Sequence, residues 1–149
     1  MSDNWITLIP TDARFVPERE RQAKARDRLA EIVRQADEVE VECHDEVQFF
    51  DCGGNFECVR CPACRAELPV AWWSDLLAAE SQRGYPFDAH TMPCCGVSAT
   101  LHALVYELPQ GFARFALSAM NPRIGFDDRM REQLESILGT KLLVIYRHL

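Results

Sequence analysis

The chain has 149 residues and a mass of 17.0 kDa, with 48% hydrophobic and 26% charged side chains, a composition that suits one folded domain and excludes a disordered or low-complexity chain. Sixteen basic against 23 acidic side chains leave a net charge of −7, which opposes binding to nucleic-acid phosphates. No run approaches the ~20 apolar residues of a membrane helix, and Met1–Pro10 lacks a basic stretch followed by an apolar core, so the expectation is a soluble, cytoplasmic protein with no membrane partner.

Taken in chain order, Trp5–Ile9 reads as a short strand ended by Pro10 and the turn formers Thr11 and Asp12. A helix is predicted from Pro17, where a first-turn proline loses no hydrogen bond and Glu18 and Glu20 favour the positive end of the dipole. Ala25, Leu29, Ile32, Val33 and Ala36 recur at helical spacing and predict one apolar stripe on a charged rod. Val39 and Val41 alternate with Glu38, Glu40 and Glu42 as a half-buried strand, and Val47–Phe50 is expected as a second strand after a turn at His44-Asp45. Asp51–Asn55, with its two glycines, predicts a tight turn into a strand over Phe56–Arg60. Val70–Arg83 reads as a helix with Trp73, Leu76, Leu77 and Glu80 along one side and Gly84 as its C-cap. Two strands are expected at Val97–Tyr106 and Phe112–Ala119, joined as a hairpin around Pro109-Gln110-Gly111. Asn121-Pro122 stops the second. Asp127 is placed to cap a helix ending at Leu138, and Gly139 precedes a final strand over Lys141–Tyr146.

The two ends share the order strand, proline-containing turn, helix, strand, in Trp5–Cys43 and again in Phe112–His148. Sliding one on the other without gaps sets Leu8 on Leu117, Arg14 on Arg123, Ala25 on Leu134 and Leu29 on Leu138. The expectation is an α+β fold, a mixed sheet covered by helices and built from two β-α-β-like halves. It forms a single domain over residues 1–149, with the cysteine-bearing segment 56–101 inserted in it.

Seven cysteines, an odd count, with no signal for secretion argue against a disulfide framework and for a bound metal. Four of them form two close pairs, Cys61-Pro62-Ala63-Cys64 and Pro93-Cys94-Cys95-Gly96. A two-residue spacer lets both thiols of the first pair point inward from one knuckle, and Pro62 pre-sets the turn. The second pair is adjacent, so both sulfur atoms can reach one ion only if the backbone kinks between Pro93 and Gly96. This pattern resembles a zinc ribbon, whose usual form has two Cys-Pro-x-Cys-Gly knuckles, each at the tip of a β-hairpin. The likeness covers about residues 56–101. It departs from the family at Arg65, where glycine is common, at Met92, where the first cysteine of the second knuckle would stand, and in a stretch between the pairs longer than the usual ~15–20 residues. The chain as a whole resembles small bacterial proteins of unassigned role that join such a ribbon to flanking α/β segments. The resemblance implies one structural Zn²⁺ held by Cys61, Cys64, Cys94 and Cys95, with Cys58 or His90 as the alternatives for the fourth place.

Other motifs carry less. Cys43-His44-Asp45 has the parts of a cysteine hydrolase, but sequence neighbours rarely converge into such a unit. Cys61 and Cys64 as a thioredoxin-like pair would have to open a helix after the first strand, which they do not. Trp72 and Trp73 cannot face the same way on a helix, so one is expected in the core and the other bordering the surface, where an exposed ring would serve as a partner anchor. Glu31, Glu38, Glu40, Glu42, Asp45 and Glu46 form an acidic stretch suited to a solvated face or a basic partner. Since no phosphate loop, nucleophile elbow or dinucleotide fingerprint is present, the leading expectation is a non-enzymatic, zinc-binding protein-interaction module, immunity- or antitoxin-like, with a protein partner of basic character. Two other classes stay open. One is a nucleic-acid or transcription-associated ribbon using Arg60, Arg65 and Arg83. The other is a zinc enzyme with an open position and His90, Glu57 or Glu67 as acid–base groups.

Overall fold

A computed structural model describes residues 2–149. The apolar run of the first strand appears as β1 (Asn4–Pro10), and the predicted helix as α1 (Arg19–Ile32), starting two residues after Pro17. Gln22, Ala25 and Leu29 make its buried face. The expected turn at His44-Asp45 is absent. Residues Glu38–Phe50 form one long strand, β2, with a register shift between Cys43 and Gln48. The bulge absorbs what the sequence suggested as a break, because Arg114 Nε donates to the His44 carbonyl at 2.9 Å and keeps the bent segment on the sheet.

After β2 the chain leaves the sheet through β3 (Cys58–Arg60), α2 (Val70–Ser81), β4 (Ala89–Thr91), β5 (Ser98–Thr100), a single 3₁₀ turn at Leu101–Ala103, and β6 (Val105–Glu107). It then returns as β7 (Gly111–Met120), α3 (Asp128–Leu138) and β8 (Leu142–His148). Asp127 caps α3 as its sequence position indicates, its Oδ1 accepting from the Met130 amide at 2.9 Å, and Gly139 closes it at φ +76°. Gly84 also lies in the left-handed region, at φ +70°, but two residues past the Gln82 cap of α2.

The main sheet has the order β2-β7-β1-β8, and every neighbouring pair is antiparallel. This corrects the expected mixed sheet. Each β-α-β unit skips one strand position, and the other half supplies an oppositely directed strand to fill it. β1 is parallel to β2 and β7 to β8, yet neither pair touches. Strand order and connection are those of the split β-α-β, or ferredoxin-like, arrangement. Leu8 pairs directly with Leu117 at the centre of the sheet, so an approximate two-fold relation passes through the two residues that the ungapped sequence overlay matched. Ala25, Leu29, Leu134 and Leu138, also matched there, pack together with Ile6, Phe115 and Leu117 in the core beneath the helices.

The strand expected over Val97–Tyr106 is broken at the 3₁₀ turn because its two parts serve different partners. Ser98–Thr100 pairs with β4, and Val105–Glu107 pairs with β3. The hairpin expected around Pro109-Gln110-Gly111 does not form. Gln110 turns inward and its Oε1 accepts from the Cys52 amide at 3.0 Å, while β7 enters the main sheet. Across the junction, Gly53 at φ +59° lies so close to the His148 carbonyl that a Cβ would sit 2.2 Å from that oxygen, a contact only glycine permits.

Candidate metal centre

Two hairpins from either side of α2 meet at the cysteines. In the first, β3 is followed by a turn at Cys61–Arg65, with the Cys61 amide donating to the Ala66 carbonyl at 3.0 Å and the Arg65 amide to the Cys61 carbonyl at 3.0 Å. Arg65 takes φ +66°, a left-handed conformation that favours glycine. In the second, β4 and β5 close over Met92–Val97, with Met92 N donating to the Val97 carbonyl at 2.8 Å and Gly96 N to the Met92 carbonyl at 2.9 Å. Gly96 has φ +77°. The two turns therefore correspond position by position: Met92 stands where Cys61 stands, and Cys95 where Cys64 stands. Met92 is fully buried at that inward place, and the missing sulfur is supplied by Cys94 from the next position but one. The adjacent cysteines lie within the turn and not in a strand, which is how both reach one point.

The sulfur atoms of Cys61, Cys64, Cys94 and Cys95 all lie within 4.8 Å of one another. Cys61 and Cys95 are 3.8 Å apart and Cys64 and Cys94 3.4 Å. A tetrahedron with metal–sulfur bonds of about 2.3 Å has edges of about 3.8 Å, whereas a disulfide would need about 2.05 Å. The spacing therefore fits a four-sulfur metal shell, and all four thiols are free. No family model, curated protein or solved structure matches this chain.

Electrostatics within the cluster favour a cation. The amides of Cys64 and Ala63 point at the Cys61 sulfur and draw its pKa down to about 7. Burial and the neighbouring sulfurs of Cys64 and Cys61 push Cys94 up to about 12. At Cys95 the Val97 amide favours the thiolate, but burial and the Cys61 and Cys64 sulfurs outweigh it and the pKa rises. Cys61 forms a thiolate readily while Cys94 and Cys95 resist, because negative charges on sulfur atoms this close repel unless a divalent ion stands between them.

The alternative ligands are placed elsewhere. Cys58 turns its sulfur to Glu107 Oε2 at 3.7 Å, and burial raises its pKa. His90 Nε2 contacts Glu80 Oε1. Glu80 is an acid in the apolar stripe of α2, nearly fully buried, with Oε2 lacking a partner among the described residues. Its carboxylate ties the second hairpin to the helix, a role that an acid at a core-facing helical position could have signalled. Cys43, His44 and Asp45 alternate along β2, and His44 Nε2 faces Glu42 at 3.3 Å, so the three do not converge. Trp73 is the core tryptophan, stacked on Phe56 at 5.4 Å and 9°. Trp72 is half-buried against the same cluster instead of standing free. Two of the three arginines proposed for nucleic acid are engaged: Arg60 with Glu107 at 3.1 Å and Arg83 with Asp88 at 2.6 Å.

Proposed function

We propose that the chain is a non-enzymatic protein-interaction module whose cysteine segment is a zinc ribbon held by one structural Zn²⁺. The observation that carries this reading is the convergence of four sulfur atoms at tetrahedral spacing, which leaves no coordination position for water or substrate. Cys61, Cys64, Cys94 and Cys95 would hold the ion, and the ion would supply a rigid joint between the two hairpins. That joint clamps α2, through Trp73, Phe49 and Phe112, onto the main sheet. The clamped segment carries Val70, Phe87, Val97 and Leu108 exposed at its surface, apolar side chains suited to contact with another protein. With a chain charge of −7, the partner is expected to be basic, as for an immunity protein or antitoxin acting on a basic target.

Metal analysis of protein purified without added metal tests the foundation: one zinc per chain is expected, and cobalt substitution should give the spectrum of a four-thiolate site. A folded, metal-free chain with four free thiols in that cluster would overturn it. Co-purification from the native cell extract tests the partner, expected as a basic protein in stoichiometric amount. A metal-replete monomer that captures none would refute the interaction reading alone.

A further inference from the structure

On the sheet face away from α1 and α3, the register arranges side chains in rows. Glu40 of β2 lies opposite Ser118 of β7, and Ser118 opposite Thr7 of β1. In the next row Glu38 faces Met120, Met120 faces Trp5, and Trp5 faces Arg147 of β8. One end of this face is closed by an apolar cluster of Ile9, Ala113, Ala116 and Ile145 with Phe50 and Phe56. Adjoining it, with Phe50 shared between them, is a cavity of about 300 Å³ that Trp5, Thr7, Ser118, Glu40, Glu42 and Arg147 also line.

Three observations set this cavity apart from a solvated sheet face. Its floor is made of hydroxyls that are almost closed off, Thr7 at 6% and Ser118 at 3% exposure. They share a single hydrogen bond of 3.3 Å, so one of their two hydroxyl protons has no acceptor among the described residues. The indole N–H of Trp5 is likewise buried without an acceptor among them. The wall on β2 carries carboxylates at alternate positions; Glu42 contacts His44, while Glu40 has no cationic partner among the described residues. Across the cavity the one cation of its lining, Arg147, is already paired with Asp51 at 3.1 Å. Burial and the flanking Glu38 and Glu42 charges hold the Glu40 proton more tightly than usual, as expected where a positive charge is wanting.

Unsatisfied donors at the floor beside an acidic wall in which Glu40 lacks a cation define complementary chemistry. We propose that the cavity binds a small basic ligand, an alkylammonium or guanidinium that also carries a carbonyl-type acceptor. The cation meets Glu40 and Glu42, and the acceptor takes the free hydroxyl proton, with the closed-off Trp5 N–H beside it as a reporter of binding. The assignment is read from the sheet face alone and does not rest on the interaction-module reading or on the metal.

The test uses the whole zinc-loaded chain and the Trp5 indole N–H resonance, identified by its loss in Trp5→Phe. L-Argininamide is the probe, and acetamide is the acceptor-only control. Argininamide should shift the resonance saturably, acetamide should not, and affinity should fall about tenfold or more in Glu40→Gln/Glu42→Gln. Raising the ionic strength should also weaken binding to the unmodified chain, a readout that needs no variant. A blocked Gly-Arg-Gly peptide separates the sources: a response to both probes assigns the cavity to a basic residue within a polypeptide, and a response to argininamide alone assigns it to free amines. Failure of argininamide to saturate, equal binding of acetamide, or an affinity indifferent to salt and to the double substitution would overturn the proposal.

Discussion

Stripping the proposed zinc should unfold the cysteine segment while the helix-covered core stays folded. The strands that frame the segment are only three residues long, β3 against β6 and β4 against β5, and isolated two-stranded pairs of that size are marginal in water. Structural zinc contributes on the order of 10–16 kcal/mol to small metal-bound folds, as much as the roughly 5–15 kcal/mol that holds a whole domain together. Loss of such an ion is expected to outweigh the packing of the small Val59, Leu68, Trp73, Met92 and Leu101 cluster. The core of Ile6, Leu8, Leu29, Phe115, Leu117, Leu134 and Leu138 contains none of the four clustered cysteines and does not depend on them. Hydrogen exchange reads the difference. On chelation, the amides of Leu68, bonded to Val59 at 2.8 Å, and Met92, bonded to Val97 at 2.8 Å, should lose protection, while those at the β1–β7 centre keep it. Near-ultraviolet dichroism from the Phe56–Trp73 stack should collapse together with them. Protection at Leu68 and Met92 that survives complete zinc removal would refute the reasoning.

Cys95→Ser should abolish stoichiometric metal binding, whereas Cys58→Ser should leave one metal per chain, because the Cys58 sulfur faces Glu107 and lies outside the four-sulfur cluster; metal analysis of both variants checks this. Leu117→Ala removes a fully buried side chain at the centre of the sheet and should cost about 2–5 kcal/mol in denaturant unfolding, with metal content unchanged. Burial holds His102 below its ordinary 6.5, where its ring packs on Phe87 and Phe112. As the pH falls toward and below that value the unfolded chain takes up a proton that the folded chain refuses, so stability should drop on acidification. The slope of stability against pH between neutral and mildly acidic conditions should be shallower in His102→Gln than in the parent.

Signals confined to a few neighbouring residues were legible in the sequence itself. Asp127 and Gly139 bracket α3 because capping depends on one turn of backbone, and the spacing Ala25, Leu29, Val33 marks the buried side of α1 because helical period is local. The Cys61–Cys64 knuckle could be read for the same reason, and the paired halves could be overlaid because each is a contiguous strand-helix-strand run. Partner choice could not be read so directly. Val97–Tyr106 looks like one strand to its own sequence, yet it divides because hydrogen-bonding partners wait in two different places, and β2 stays whole through His44 because Arg114, 70 residues away, holds its bulge. Tertiary structure alone decided that the two halves interlock as an antiparallel sheet, that Cys94 and not Cys58 joins the sulfur cluster, and that Thr7, Ser118 and Trp5 share a cavity with Glu40. Periodicity specifies which side of an element is apolar, but contacts between distant segments depend on where the rest of the chain has already packed.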